Sequence, residues 1–179
     1  MSPRFPLTLI LLAASVLGAQ QNQDVRRLAP YVPSPDPIVR QMLTLGELRP
    51  GELHFDLGSG DGRIVLAAAS LGAQSVGFEI DAKLVDSSRH SIRKAGLSKL
   101  AHIEKKDLYT ADFRQVDLVT TYLLPVMLKE LAPILAQQMK PGSRLVSHDY
   151  PIPGWTPEKI ESGVDASNGL PYRVFLYRR

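Results

Sequence analysis

The residues most able to do chemistry begin with one loop, Asp56-Leu57-Gly58-Ser59-Gly60-Asp61-Gly62-Arg63. Its glycines let the backbone turn sharply and pass close to a ligand. A helix that follows would leave its first N–H groups unpaired at the same place. A dinucleotide-binding loop is spaced G-x-G-x-x-G. Here Gly62 comes one residue early, and Arg63 stands where the third glycine would be. Carboxylates at Asp56 and Asp61 serve a pyrophosphate poorly and a ligand with an ammonium and a sulfonium well. Glu79 follows at about the twenty-residue distance from which a carboxylate grips ribose hydroxyls. Asp107 follows the third expected strand, where a carboxylate can meet an adenine amino group, with Leu108 beside it. Each feature alone has a plain reading: a turn, a solvated strand end, a helix cap or surface charge. Three in succession argue for one binding site, with Asp56, Gly58, Ser59, Gly60, Gly62, Glu79, Asp107 and Leu108 as its candidate contacts.

Such residues need strand ends to stand on, and the pattern supplies them. Residues 21–37 form a Pro-rich lead-in, extended and stiff over 30–37, which hold four prolines. Asp36 is expected as an N-cap with Pro37 first in the helix, and Ile38, Met42 and Leu45 follow at helical spacing. Strands are expected at 53–57, 75–80, 100–105, 116–123 and 143–147. Helices are expected between them at 62–71, 82–95 and 125–138, the last bent or restarted near Pro133. Two further strand candidates, 158–162 and 172–177, flank the turn-rich stretch 165–169 and suggest a terminal hairpin. Alternating strands and helices with short links imply an α/β fold, a single Rossmann-like domain over residues 38–179. The sheet is mostly parallel, with helices on both faces and a C-terminal antiparallel hairpin. Ligands of such sheets bind beyond the carboxyl ends of the strands, where the strand order reverses.

The acidic glycine loop and Glu79 favour S-adenosylmethionine over a nicotinamide dinucleotide as that ligand. Read together, these residues resemble the class I S-adenosylmethionine-dependent methyltransferases. Pro30-Tyr31-Val32-Pro33-Ser34-Pro35, the loop with Ile64 and Val65, and Val146-Ser147-His148-Asp149-Tyr150 followed by Gly154-Trp155-Thr156-Pro157 narrow the likeness. They resemble a subgroup holding the archaeal broad-specificity protein lysine methyltransferase. The same subgroup holds the mitochondrial lysine methyltransferases acting on the c-type subunit of ATP synthase and on the adenine nucleotide translocase. The resemblance runs from about Leu28 to the C-terminus. It implies that Asp56, Gly58, Gly60, Glu79 and Asp107 contact the cofactor, and that Tyr31 and Ser34 close over it. Ser34 stands where relatives often carry threonine, so the hydroxyl is kept.

A lysine acceptor must lose its proton before it attacks, at a cost of roughly 4–5 kcal/mol at pH 7. Desolvation near a sulfonium lowers that cost, and aromatic faces can hold the amine. Tyr31, Tyr122 and Trp155 are candidates to line such a mouth. The plain alternatives are a core tyrosine for Tyr122 and a loop anchor for Trp155. His148 and Asp149 are candidates for a proton relay or for structural hydrogen bonds. His54, His90 and His102 read as ordinary strand or surface residues, and no spacing suggests a metal site. The resemblance implies a protein lysine as the partner, and the lack of an inserted lid segment that could enclose a small molecule agrees with it. A small-molecule, lipid or quinone methyltransferase and a non-catalytic binding module remain as alternatives.

Bulk properties set the remaining bounds. The 179 residues include no cysteine, which excludes disulfides, thiolate metal sites and a cysteine nucleophile. The net charge of +3 comes from scattered basic residues, so nucleic acid is not an expected partner. Residues 1–20 read as a signal peptide: Arg4, an apolar run, then Gly18 and Ala19. The domain is then exported or held near a membrane. An uncleaved anchor, or a start chosen too early and a cytoplasmic protein, are the rival readings.

Overall fold

A computed structural model describes residues 31–179. The expected signal segment, 1–20, and residues 21–30 of the lead-in lie outside the described residues. From Val32 to Arg179 the chain forms one unit. Among the described residues there are four α-helices: α1 (Asp36–Leu45), α2 (Arg63–Ser70), α3 (Ala82–Lys94) and α4 (Pro125–Gln138). Seven strands accompany them: β1 (Leu53–Leu57), β2 (Gln74–Glu79), β3 (Ala101–Lys105), β4 (Leu118–Thr121), β5 (Arg144–His148), β6 (Lys159–Val164) and β7 (Pro171–Arg178).

The strands form one sheet in the order β3-β2-β1-β4-β5-β7-β6. The first five are parallel to one another, and β7 runs antiparallel to both β5 and β6. This is the expected Rossmann-like sheet with a terminal hairpin. The order reverses between β1 and β4, so the crevice at their carboxyl ends is the place for a ligand. One core cluster joins Ile38, Met42 and Leu43 of α1 to Ile64 and Ala68 of α2 and to Leu118, Val146, Val174 and Leu176 of the sheet. A second joins Val65 and Ala69 of α2 to Val85 and Ile92 of α3 and to Ala101 and Ile103 of β3.

Several element ends differ from the sequence reading, each for a local reason. The α1 N-cap is Pro35, so Asp36 is already helical and caps nothing through its side chain. Gly62, with φ +80°, is the α2 N-cap, and the helix starts only at Arg63. β4 is shorter than 116–123 at both ends. Asp117 turns its carboxylate to the Leu53 backbone N–H (2.8 Å) just before the strand, and Leu124 just after it already caps α4. α4 runs through Pro133 without a restart. A 3₁₀ turn at Leu108–Thr110, absent from the sequence reading, is capped by Asp107.

Candidate functional site

The loop after β1 is held against β2 by its own backbone. The N–H groups of Gly58 and Ser59 both donate to the Phe78 carbonyl at 3.0 Å. Gly58 has φ +76°, and a Cβ there would lie 2.8 Å from Leu123 Cδ2. Gly77 of β2 makes room from below, since a Cβ on it would lie 2.6 Å from the Ser59 side chain. Arg63, in place of the expected third glycine, acts as a clamp. Its guanidinium donates to both Asp61 oxygens, the shortest bond being 2.7 Å, and to the Ser34 carbonyl at 3.0 Å. Asp61 therefore faces Arg63, and Arg63 ties the loop to the lead-in segment.

Two buried carboxylates remain at the crevice. Asp56 is 2% exposed and accepts a 2.7 Å hydrogen bond from Thr120 Oγ1. Burial pushes its pKa up to about 7; the charges of Glu79 and Asp61 push the same way, and the Thr120 bond opposes them. Glu79 ends β2 and receives Gly60 N–H at 2.9 Å, Ile80 N–H at 2.7 Å and Asp81 N–H at 2.9 Å. It thus joins the glycine loop to the strand whose end it marks. Asp107 accepts from Tyr109 N–H at 3.1 Å, and Leu108 is buried beside it. Ser59 Oγ is buried with no hydrogen-bond partner among the described residues, an uncommon state for a native hydroxyl.

This donor set suits S-adenosylmethionine. It offers carboxylates for an ammonium and a ribose diol, a tightly turned glycine backbone, and one unsatisfied hydroxyl. Its two buried carboxylates make it a poor seat for a phosphate.

A second group gathers at the carboxyl ends of β4 and β5. Tyr122 donates its hydroxyl to Asp149 Oδ2 at 3.0 Å. Its ring lies 4.1 Å from the His148 ring and stacks at 6.3 Å on Tyr150. Burial first, and the Asp149 charge second, push the Tyr122 pKa up to about 12, so it stays a neutral donor. His148 Nδ1 meets Ser34 Oγ at 2.8 Å. His148 Nε2 is buried with no hydrogen bond among the described residues, 3.6 Å from Asp149 Oδ2. Burial lowers the His148 pKa, against the opposing charges of Asp149 and Asp165. Asp149 has φ +59°, a conformation costing of order 1–3 kcal/mol outside glycine. It is held by Tyr122 and by paired bonds with the Arg173 backbone.

The fold thus gathers Asp56, the glycine loop, Glu79, Asp107 and Leu108 at the ends of β1 to β3, and Ser34, Tyr122 and His148 around β4 and β5. Trp155 stands apart from them. It packs edge-on against Tyr177 at 5.9 Å, under the Arg179 guanidinium at 5.3 Å, and Tyr177 pairs with Leu145 in the interior of β5. Tyr31 is half-exposed. His90 and His102 are exposed. His54 is fully buried, with Ser75 Oγ at 2.8 Å and Thr120 Oγ1 at 2.9 Å. The sequence reading missed His54, Thr120, Ser75 and Arg63. The signal for His54 was alternation: two residues before Asp56 in a strand, it must face the same side.

Comparison with known proteins points the same way. Residues 56–159 match the family model of the ANTKMT methyltransferase domain. The chain is 35% identical over 150 residues to a protein-lysine N-methyltransferase of Saccharolobus islandicus, covering 83% of this chain and 92% of that protein. It is 37% identical over 137 residues to the adenine nucleotide translocase lysine N-methyltransferase of Mus musculus, covering 76% of this chain but only 59% of the mouse protein. Among solved structures, an RNA methyltransferase from Salinibacter ruber, in complex with S-adenosyl-L-homocysteine, is 39% identical. It superposes with a TM-score of 0.75 over 82% of this chain and 93% of that one.

Proposed function

The chain belongs to the family of S-adenosylmethionine-dependent methyltransferases defined by the ANTKMT methyltransferase domain, and from that premise we propose that it methylates a lysine side-chain amine of another protein. The observation that carries the reading is the make-up of the second group. Asp149, partly exposed, lies beside the stacked rings of Tyr122 and Tyr150 at the ends of the strands next to the cofactor carboxylates. A carboxylate beside aromatic faces attracts a cationic amine. Two curated relatives that share most of this chain are named for lysine methylation, and a solved relative of similar coverage is named for RNA, so the acceptor is what the test must separate.

S-adenosylmethionine, when bound, supplies a methyl group already activated by a sulfonium charge. The protein's part is to bind and align. Asp56 would hold the cofactor's ammonium and Glu79 its ribose hydroxyls, with the glycine loop passing close beside it. Tyr122 stays protonated and holds Asp149 in place to receive the amine. The low proton affinity of His148 keeps a second positive charge away from the incoming lysine.

The test is transfer of a labelled methyl group from S-adenosylmethionine into cell extract, resolved into protein, RNA and organic-soluble fractions. Label in protein that yields methyl-lysine on hydrolysis is the expected result. Label confined to RNA or to lipid and quinone would refute it. The signal-like composition of residues 1–20 supports a further proposal, that the domain works outside the cytoplasm or at a membrane. Recovery of an uncut chain from the cytosol would overturn it. No helix among the described residues is long and apolar enough to cross a membrane.

A further inference from the structure

A row of polar side chains crosses three strands beneath the glycine loop. Ser75 of β2 meets His54 Nδ1 at 2.8 Å, and His54 Nε2 meets Thr120 Oγ1 of β4 at 2.9 Å. Thr120 then meets Asp56 Oδ1 at 2.7 Å. All four side chains are within 2% of complete burial. The direction of the row follows from its end. An ionised carboxylate only accepts, so the one Thr120 proton goes to Asp56. The Thr120 oxygen must then accept from His54 Nε2–H. That selects one tautomer, whose Nδ1 accepts the Ser75 proton. A neutral imidazole can accept at one end and donate at the other. Burial keeps His54 neutral, its pKa lowered to about 3. Packing alone would favour apolar residues here, because each buried polar group must be satisfied at some cost.

We propose that His54 is a positioning residue: acting through Thr120, it fixes the Asp56 carboxylate in the orientation that receives the cofactor's ammonium. The proposal rests on the reading of the glycine-loop crevice as the S-adenosylmethionine site. The charged groups facing Asp56 are Glu79 at the end of β2 and Asp61 in the loop, both of which favour its protonation; Thr120 is the neighbour that opposes them. Asp61 is itself engaged by Arg63. Without the His54 donor, Thr120 is free to turn away, and Asp56 loses the contact that favours its charged form.

The test uses two ligands. S-adenosylhomocysteine carries the ammonium, and 5′-methylthioadenosine lacks the amino-acid end. Their binding to the wild type, His54→Leu and His54→Gln is measured by calorimetry across the Asp56 transition near pH 7. In the wild type, affinity for S-adenosylhomocysteine is expected to rise with pH through that transition. His54→Leu should move the transition to higher pH and weaken S-adenosylhomocysteine about tenfold at pH 7, as expected for one lost hydrogen bond to a charged group. It should leave methylthioadenosine unchanged. His54→Gln, whose amide nitrogen can replace Nε2 as donor, should restore both readouts. Thr120→Val cuts the same row at its next link and must shift the transition the same way, even if His54→Leu fails to fold. An unmoved transition, or equal loss of both ligands, would reduce the row to a structural role and overturn the proposal. If the wild type binds neither ligand, the cofactor reading itself falls.

Discussion

Replacing Asp56 by asparagine should stabilise the cofactor-free protein at alkaline pH while abolishing its grip on the cofactor. In the unfolded chain Asp56 ionises at about the ordinary value of 3.9. In the fold, burial raises the value to about 7. Between those two values the folded state holds a proton that the unfolded state has lost. Folding stability therefore falls as pH rises through the window, by about 1.4 kcal/mol per unit. From pH 5 to pH 8 the loss from this one group is roughly 2–3 kcal/mol. The amide introduced by Asp56→Asn would have no charge to bury and would keep an oxygen for the Thr120 hydroxyl. Urea unfolding of both proteins at the two pH values isolates the effect, because the titration of every group not coupled to Asp56 cancels in the difference of differences. Asp56→Asn should gain roughly 2–3 kcal/mol on the wild type between pH 5 and pH 8. Adding S-adenosylhomocysteine at about a hundred times its Kd should return about 2.7 kcal/mol to the wild type at pH 8 and little to the variant. Parallel stability profiles for the two proteins would refute the reasoning, because Asp56 would then titrate as an exposed carboxylate.

Three other outcomes follow from the same geometry. Glu79→Ala removes the acceptor of three backbone N–H groups and the expected partner of the ribose diol; calorimetry should show S-adenosylhomocysteine bound roughly 1–3 kcal/mol more weakly, and unchanged affinity in a folded variant would remove Glu79 from the site. Gly77→Ala places a methyl 2.6 Å from Ser59; denaturant curves should show about 1–3 kcal/mol of overpacking, with a parallel loss of cofactor affinity as the loop is displaced. Tyr122→Ala breaks the bond to Asp149 and removes the stacked ring; steady-state assays should show turnover falling with cofactor affinity largely kept, and equal turnover would take Tyr122 out of the acceptor site.

Much of this protein could be read from the order of its residues. Hydrophobic alternation and turn residues located every strand and helix to within a few positions. The glycine loop, Glu79 and Asp107 could be placed at one edge of the sheet because such loops lie at strand ends, and strand ends in a parallel sheet lie together. Period and spacing are local properties, and they carry local structure. Tertiary structure alone decided the rest. It gave Arg63 its clamp on Asp61 and Ser34, set Trp155 against Tyr177 and Arg179, and forced Asp149 into a left-handed turn beside Tyr122. It also lined up Ser75, His54, Thr120 and Asp56 across three strands. Apart from the local Arg63–Asp61 pair, those relations join residues tens of positions apart, and most depend on strand register and burial. Neither has a signature in a single stretch of sequence, so the same histidine reads as an ordinary strand residue until its neighbours across the sheet are known.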